Sequence, residues 1–238
     1  MTAALVAALE PEPGDVVLDL AGGTGDMTEA LAGRVAKVIA TDFSPAMVEA
    51  ARRRGIPNAE HLVMDLQALD LPDASVDGVV CRFGYMLVPE TELALRETRR
   101  VLRPGGRLVF ATWAAAKRNP WATAYGPVLI ERGLQAPPKP GEPGQFALSE
   151  PEVIEPLVRA AGFDEVLVAE VPVEYRFGGW DDYRRLINSL AASLREVLAT
   201  LDERTRAEVD TAACARLDRF RRPDGYVLPG IALVTSAR

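Results

Sequence analysis

The chain has 238 residues, of which 48% are hydrophobic and 26% are charged, and its formal net charge is −7. This length and composition predict either one large α/β domain or a core domain with a small addition, with a well-packed core and without intrinsic disorder. The negative net charge opposes binding to a phosphate backbone, and we therefore expect no nucleic-acid partner.

The small numbers of cysteines and histidines limit the disulfide and metal sites that the chain can form. The two cysteines, Cys81 and Cys214, lie far apart in the sequence and indicate no disulfide framework. The single histidine, His61, argues against multi-histidine zinc or iron sites, so we expect no metal and a structural role for this residue. There is no apolar stretch long enough to span a bilayer and no signal-peptide pattern, which predicts a cytoplasmic protein.

Two patterns alternate along the first half of the chain. Short apolar runs predict strands that are buried on both faces, and most are followed by a segment with helical periodicity. The predicted strands are residues 16–21, 37–42, 61–65, 76–83 and 107–113. The predicted helices are residues 2–9, 24–31, a helix that begins at Ser44-Pro45, and 90–102. This alternation predicts right-handed crossovers and a parallel sheet.

The second half of the chain has a different character. Residues 114–145 contain the proline- and glycine-rich stretch APPKPGEPG, which predicts an irregular excursion. Helical periodicity returns in residues 149–161, and a strand over residues 166–177 contains Pro172, which favours a place near the sheet edge. Residues 181–222 are helical by composition, and residues 230–237 predict a last strand.

The sequence AGGTG at residues 21–25 connects the first predicted strand to the next helix. Backbone N–H groups in such a loop face an anionic group, and glycines allow a ligand to come close. The dinucleotide fingerprint G-x-G-x-x-G does not fit, because its third position is Thr28. Asp26 would face a pyrophosphate unfavourably, whereas the carboxylate of an amino acid remains compatible with a helix N-terminus.

Three aspartates are predicted at the carboxyl ends of the first three strands, the edge where parallel sheets bind ligands. Asp19 precedes the glycine loop and can accept a hydrogen bond from an ammonium group. Asp42 ends the second strand, where a carboxylate can accept from both hydroxyls of a ribose. Asp65 ends the third strand, where it can accept from an exocyclic amine. Together with the loop, these residues indicate an adenosine-containing ligand.

Four segments carry a family resemblance: LDLAGGTGDMT, TDFSPAMVEAAR, MDLQALDLPDASVDGVVCRFGYML and LRETRRVLRPGGRLVFATW. They resemble, in order, the motifs of class I S-adenosylmethionine (SAM)-dependent methyltransferases, in particular the ubiquinone/menaquinone-biosynthesis branch and its small-molecule relatives. The similarity is strong over residues 14–113. It implies a Rossmann-like α/β sheet that is mostly parallel with an antiparallel last strand, helices on both faces and a small helical cap.

The resemblance also implies the cofactor SAM, the product S-adenosylhomocysteine and a set of donor contacts. Phe43 and Met47 are expected to cover the adenine, and residues 64–66 to contact it. The end of the fourth strand is expected to face the transferred methyl group. The residues expected to bind the donor are Asp19, Ala21, Gly22, Gly23, Thr24, Gly25, Asp42, Phe43, Met47, Met64, Asp65, Leu66, Cys81 and Arg82.

Other residues are candidates for the acceptor side of the site. Arg82 and Tyr85 follow the fourth strand and are the candidate catalytic residues, in the role of positioning the acceptor. Arg216, Arg219, Arg221 and Arg222 predict a solvated helix face, with attraction of an acidic acceptor as the alternative. Further candidates are Asn119, Tyr125 and Tyr183. For Trp113, Trp121 and Trp180 we expect plain packing, with a role as walls of an apolar pocket as the alternative.

The predicted domain organisation follows from the same resemblance. Residues 1–113 form the SAM-binding core, 114–148 the irregular substrate-side excursion, 149–179 a core helix and strand, 180–225 a helical cap, and 226–238 the final core strand. The excursion and the cap are expected to select a small-molecule acceptor. The alternative for the cap is an interface in a homodimer.

The predicted activity is transfer of a methyl group to a carbon or oxygen of a natural-product or quinone-like small molecule. Because a sulfonium is already an activated electrophile, positioning and exclusion of water are expected to carry most of the acceleration. Two alternatives remain open: an enzyme that uses the bound sulfonium for a cyclisation or rearrangement without methyl transfer, and a non-catalytic SAM-binding partner subunit.

Overall fold

The computed structural model describes residues 1–139, 141–190 and 192–238, with the side chains of residues 192 and 193 outside the description. The chain divides into two compact units. The sheet unit comprises Met1–Ala114, Gly141–Val171 and Ala232–Arg238. The helical unit comprises Ala115–Pro140 and Pro172–Ile231.

The strands follow the order β3-β2-β1-β4-β5-β8-β6, and the short β7 pairs with β8. Strands β1 to β5 pair in parallel, and β8 runs antiparallel to β5. The prediction of a mostly parallel sheet with an antiparallel last strand is therefore confirmed. The bounds are β1 (Val16–Leu20), β2 (Lys37–Asp42), β3 (Ala59–Val63), β4 (Val76–Arg82), β5 (Leu102–Trp113), β6 (Leu167–Phe177), β7 (Arg221–Arg222) and β8 (Gly225–Ala237).

Helices connect the strands and build most of the helical unit. Local sequence signals set several of their ends: Ser44 accepts a hydrogen bond from the Met47 N–H at the start of α3, and Asp202 accepts from the Thr205 N–H at the start of α9. The bounds are α1 (Thr2–Leu9), α2 (Asp26–Ala32), α3 (Pro45–Arg52), α4 (Thr91–Val101), α5 (Tyr125–Glu131), α6 (Pro151–Ala160), α7 (Trp180–Leu190), α8 (Ala192–Ala199) and α9 (Glu203–Leu217).

The register of the central strands positions the candidate site. Leu20, at the end of β1, pairs with Thr41 on β2 and with Cys81 on β4. The three carboxyl ends therefore stop at one level of the sheet. Leu5 and Leu9 of α1 belong to the hydrophobic core around β1 and β4 and are buried. Burial of such side chains stabilises the fold by about 2 kcal/mol each.

Two predicted segments in the second half of the chain differ from the structure. Residues 125–131, inside the excursion predicted as irregular, form α5. The helical segment predicted to reach residue 222 ends at Leu217, and β7 and β8 form a hairpin in which Arg222 pairs with Gly225. Pro223 cannot continue a helix, and Gly225 has a φ of 135°, which a side chain would oppose.

In the described part of the chain, every helix is too short or too polar to cross a membrane.

Candidate functional site

The glycine loop leaves β1 through a backbone that favours glycine. Gly23 and Gly25 have φ values of 56° and 91°, in the left-handed region. Ala21 also has a positive φ, 52°, which strains a residue with a Cβ atom by about 1 kcal/mol. The Gly22 N–H donates to the Thr41 carbonyl oxygen at 2.8 Å, so the loop is bound to the end of β2. The loop is thereby held in one conformation beside the neighbouring strand.

Asp42 is fixed at the end of β2 by two backbone donors. The Gly23 N–H donates to Oδ2 and the Ser44 N–H donates to Oδ1, both at 2.9 Å. Each carboxylate oxygen retains a second lone pair. The carboxylate is therefore oriented and can accept two further hydrogen bonds, as from a cis-diol.

Asp19 is fully buried at the end of β1. Its Oδ2 accepts from the Thr28 hydroxyl at 2.6 Å, whereas its Oδ1 has no hydrogen-bond partner among the described residues. Burial raises the pKa of this carboxyl to about 6, against the opposing effects of the Thr28 hydrogen bond and the Arg82 charge. A Cβ on Gly22 would lie 2.9 Å from Asp19 Oδ2, so the loop needs glycine there. Asp19 Oδ1 can therefore accept a hydrogen bond from a cationic group.

An ion-pair network holds the start of α2. Asp26 accepts from Arg54 at 2.6 Å and pairs with Arg82 at 3.3 Å. These two arginines, Arg54 first, hold the pKa of the Asp26 carboxyl below its ordinary value. Arg54 also donates to the Thr24 carbonyl oxygen at 3.1 Å and to Glu29. Sequence reasoning missed Arg54, since three arginines after a helix fit simple dipole compensation.

Arg82 lies where the sequence placed it, at the end of β4. Besides Asp26, its guanidinium donates to the Thr2 hydroxyl at 3.1 Å and so connects α1 to the start of α2. Its positive charge lowers the pKa of the Asp19 carboxyl, against the larger effect of burial. Its roles toward donor and acceptor stay predictions.

The expectation for Tyr85 is corrected by the structure. Tyr85 is fully buried, its hydroxyl hydrogen-bonds the Thr98 hydroxyl at 2.5 Å, and its ring packs edge-on against Phe110. Burial raises the pKa of this phenol well above its ordinary value. A side chain with this environment is a core residue and offers no surface to an acceptor.

Cys81 is likewise buried, and its pKa is raised to about 12, chiefly by burial. A thiol with that pKa is not a nucleophile at neutral pH, as expected for a small apolar filler. A Cβ added to Gly84 would lie 2.6 Å from its Sγ and 2.7 Å from the Ala21 Cβ. Glycine at position 84 therefore lets the loop after β4 pack against the glycine loop.

Phe83 has a φ of 67°, so a second strained residue lies at the carboxyl edge. Its ring stacks on Trp113 with the centroids 4.3 Å apart and the planes 7° from parallel. Trp113 is buried, and the stacking contributes about 1 kcal/mol beyond burial. This pair holds the ends of β4 and β5 side by side.

The predicted adenine-contacting residues fall into two groups. Phe43 and Met47 are exposed, at 76% and 44%, which leaves apolar surface next to Asp42. Met64 and Asp65 are half-buried and Leu66 is buried, but all three lie beyond β3, which ends at Val63. The prediction of Asp65 as a strand end is corrected.

The side chain of Asp65 itself explains why the strand stops. Its Oδ1 accepts from the Gln67 backbone N–H at 2.8 Å, and the Gln67 amide donates to both carboxylate oxygens at 3.2 Å. This Asx turn competes with continuation of the ladder. The exocyclic amine of an adenine would share the Asp65 carboxylate with Gln67.

His61 lies in the middle of β3 and is buried. Burial, with the nearby Arg52 charge, lowers its pKa, so the imidazole is neutral at pH 7. Arg52 donates to the His61 carbonyl oxygen at 2.6 Å. These contacts fit the predicted structural role.

The remaining acceptor candidates lie in the helical unit, where several are held in its interior. Asn119 accepts from the Ile231 N–H and from the Trp121 indole, both at 3.0 Å, and is fully buried. The Tyr125 hydroxyl donates to Asp210 at 2.7 Å. Tyr183 is buried, with its hydroxyl unpartnered among the described residues. Asn119 is therefore a structural residue, which corrects its place among the acceptor contacts.

Part of this chain is similar in sequence to a known family and to known proteins. Residues 17–106 match the family described as "Methyltransferase domain". The ubiquinone/menaquinone biosynthesis C-methyltransferase UbiE of Caulobacter vibrioides is 40% identical over 134 residues, which are 51% of this chain and 53% of the relative. The chain thus spans about half the length of the curated relatives it matches.

Solved structures extend the likeness to the whole fold. The YcgJ protein of Bacillus subtilis has a TM-score of 0.66 and 18% identity, covering 100% of this chain and 97% of that protein. The [4+2]-cyclase SpnF has a TM-score of 0.60 and 19% identity, covering 100% and 80%. The match over residues 17–106 and the shared Rossmann-like fold agree with the resemblance to class I methyltransferases. Since this fold also occurs in a cyclase, it does not by itself decide the chemistry.

Proposed function

We propose that this chain is a SAM-dependent methyltransferase that transfers a methyl group to a carbon or oxygen of a small, quinone-like acceptor. The observation that carries the proposal is the meeting of the glycine loop, Asp19 and Asp42 at one level of the sheet. The domain match over residues 17–106 supports the same activity.

The site fits the proposed donor at its ammonium group, its ribose and its adenine ring. The buried Asp19 Oδ1 has no partner among the described residues, and an ammonium group supplies the missing donor. The two oxygens of Asp42 are oriented by backbone N–H groups, and each keeps a lone pair that can accept from one ribose hydroxyl. We assign Phe43 and Met47, whose apolar surface is exposed beside Asp42, to the adenine ring.

SAM supplies a methyl group on a positively charged sulfur, so the protein need not generate an electrophile. The chain's own work is to hold the donor through Asp19, Asp42 and the loop, and to exclude water from the reacting atoms. Cys81 does not act as a base or nucleophile, because its pKa is about 12. We assign Arg82, whose guanidinium is held by Asp26 and Thr2, to orienting the acceptor.

The acceptor class rests on the relatives. The matched protein of Caulobacter vibrioides is described as a ubiquinone/menaquinone biosynthesis C-methyltransferase, which supports a quinone-like ring here. We propose that residues 114–148 and 180–225 select this acceptor. We further propose a homodimer, which sedimentation of the purified protein tests directly, and a cytoplasmic location, which cell fractionation tests.

Calorimetry with S-adenosylhomocysteine tests the donor assignment. Asp42→Ala removes two hydrogen bonds to a charged acceptor, and we expect the affinity to fall about 100-fold. The matched control is Asp70→Ala, an exposed aspartate for which we expect no change. Absence of binding to folded wild-type protein would refute the proposal, and equal affinity of Asp42→Ala would refute the ribose assignment.

Transfer is tested separately with SAM labelled in its methyl group and a panel of hydroquinones. Label in the product supports the proposed activity. Product formation without label favours the alternative in which the bound sulfonium assists a cyclisation or rearrangement.

A further inference from the structure

A cavity of about 260 Å³ lies within the helical unit, beside the end of α9. It is large enough for a small polar group, and most of its surface is polar. Its lining residues are Pro120, Thr123, Ala124, Arg216, Leu217 and Arg219. Two arginines, three positions apart in the sequence, therefore border one concave surface.

The charges of these two arginines are less neutralised than those of Arg221 and Arg132. Elsewhere in the unit, Arg221 lies 2.8 Å from Asp218 and Arg132 lies 3.0 Å from Glu208. Arg216 reaches its carboxylate, that of Glu131, only at 3.6 Å. Within the described ranges Arg219 has no ion pair, and its guanidinium lies 4.7 Å from the Phe220 ring centroid.

The charge of the whole helical unit has the same sign. This unit contains 14 Lys and Arg against 11 Asp and Glu, a net charge of +3. The sheet unit contains 13 against 23, a net charge of −10. The acidic balance of the chain thus belongs to the sheet unit, whereas the net charge of the helical unit itself has the sign that favours anions.

Helix-dipole compensation explains only part of this arrangement. A cation in the last turn of a helix is stabilised by the partial negative charge there, which suits Arg216. Arg219 follows the end of α9 at Leu217, and the dipole does not account for the cavity that both arginines line. A ligand that carries negative charge accounts for both features.

We propose that this cavity binds a carboxylate or phosphate group of a small molecule between Arg216 and Arg219. Guanidinium groups bind such oxyanions with paired, charge-assisted hydrogen bonds. When the oxyanion belongs to the methyl acceptor, the inference rests on the proposed function and narrows the acceptor to an acidic molecule. When it belongs to a separate small molecule, the inference stands without the proposed function.

Titration of the full-length protein with inorganic phosphate, at constant ionic strength set by chloride, tests the site by calorimetry. We expect saturable binding that weakens about tenfold in Arg216→Gln and in Arg219→Gln. Arg219→Lys keeps the charge but loses the paired geometry, and it should fall between wild type and Arg219→Gln. Arg206→Gln is the matched control, since Arg206 is an exposed arginine of α9 outside the cavity lining.

No saturable binding of phosphate would overturn the proposal, as would an equal loss in Arg206→Gln, which would indicate general electrostatic attraction. Methyl transfer to 3,4-dihydroxybenzoate and to catechol, with phosphate as competitor, distinguishes the two sources of the oxyanion. A preference for the acid that disappears in Arg219→Gln assigns the oxyanion to the acceptor. S-adenosylhomocysteine binding should be unchanged in every variant, so failure of the anion site and failure of the donor site are separable.

Discussion

The carboxyl edge of the sheet unit and the interior of the helical unit differ in backbone strain. At the edge, Ala21 and Phe83 have left-handed backbones, and Asp19 is buried with one oxygen unpartnered among the described residues. Among the described residues of the helical unit, only glycines have a positive φ. Tyr125 and Asn119 reach partners 85 and 112 residues away in this unit, whereas the Tyr183 hydroxyl has none among the described residues. Because backbone strain clusters at functional positions, the sheet edge has the character of a binding site.

The charges of the two units follow the same division. A donor with a sulfonium and an ammonium group is attracted to the sheet unit, with its net charge of −10, and an oxyanion to the helical unit, with +3. The net charge of −7 for the chain conceals this separation. The following substitutions test which residues of each unit contribute to the stability of the fold and which contribute to ligand binding.

The largest effect on folding is expected at the contact between the two loops of the sheet edge. Gly84→Ala places a methyl group 2.6 Å from Cys81 Sγ and 2.7 Å from Ala21 Cβ, and we expect a loss of about 3 kcal/mol in urea unfolding. Gly14→Ala is the matched control, because no atom lies within 4 Å of its added Cβ. Equal stability of the two variants would contradict the close approach of the loops.

The buried carboxyl of Asp19 is expected to cost stability at neutral pH. Its pKa of about 6 lies above the ordinary 3.8, so the folded state keeps its proton up to a higher pH than the unfolded state. The contribution of this group to the free energy of unfolding is therefore largest below pH 4. It decreases as the pH rises from 4 to 6 and stays constant above pH 6. The total difference is about 3 kcal/mol.

Asp19→Asn sharpens this prediction, since an amide carries no charge and still accepts from Thr28. We expect the variant to gain about 2 kcal/mol over wild type at pH 7.5 and little at pH 4, while S-adenosylhomocysteine binding weakens. Urea unfolding at both pH values gives the measurement. A stability difference that is the same at pH 4 and pH 7.5 would show that the ionised carboxyl is not the cause.

The donor side of the site is largely predictable from sequence because short-range patterns build it. The apolar run before AGGTG predicts β1 and its loop, and Ser44-Pro45 predicts the start of α3. Asp42 then follows from its place at the end of β2. These features depend on residues close together in the chain, so periodicity and turn chemistry reveal them.

Long-range side-chain contacts are the part that the sequence does not reveal. Arg54 hydrogen-bonds to residues that lie 25 to 30 positions earlier in the chain. The Tyr85 hydroxyl hydrogen-bonds to Thr98 on α4, and its ring is buried in the core. The hairpin at β7 did carry a local signal, Pro223-Asp224-Gly225, but helical composition outweighed it. Pairing across such distances depends on tertiary packing, which a one-dimensional pattern does not specify.

The helical unit offers a matched pair of tyrosines for a smaller effect. Tyr125→Phe removes the donor to Asp210 and leaves that carboxylate with Arg184 at 3.3 Å, so we expect a loss of about 1–2 kcal/mol. Tyr183→Phe removes a buried hydroxyl that is unpartnered among the described residues, and we expect no loss or a small gain. Thermal unfolding of both variants measures the difference. Equal losses would mean that Asp210 contributes nothing to the helical interior.

The smallest effect separates two neighbouring arginines. Arg54 contacts Thr24, Asp26 and Glu29, which form the end of the glycine loop and the start of α2, whereas Arg53 lies 3.8 Å from Glu49 at the surface. Arg54→Met should therefore weaken S-adenosylhomocysteine binding about threefold, and Arg53→Met should leave it unchanged, because an exposed pair contributes little. Calorimetry at low and high salt gives the comparison. If both variants behave alike, the ion pairs at Asp26 do not position the loop, and its conformation depends on Thr41 and Asp42 alone.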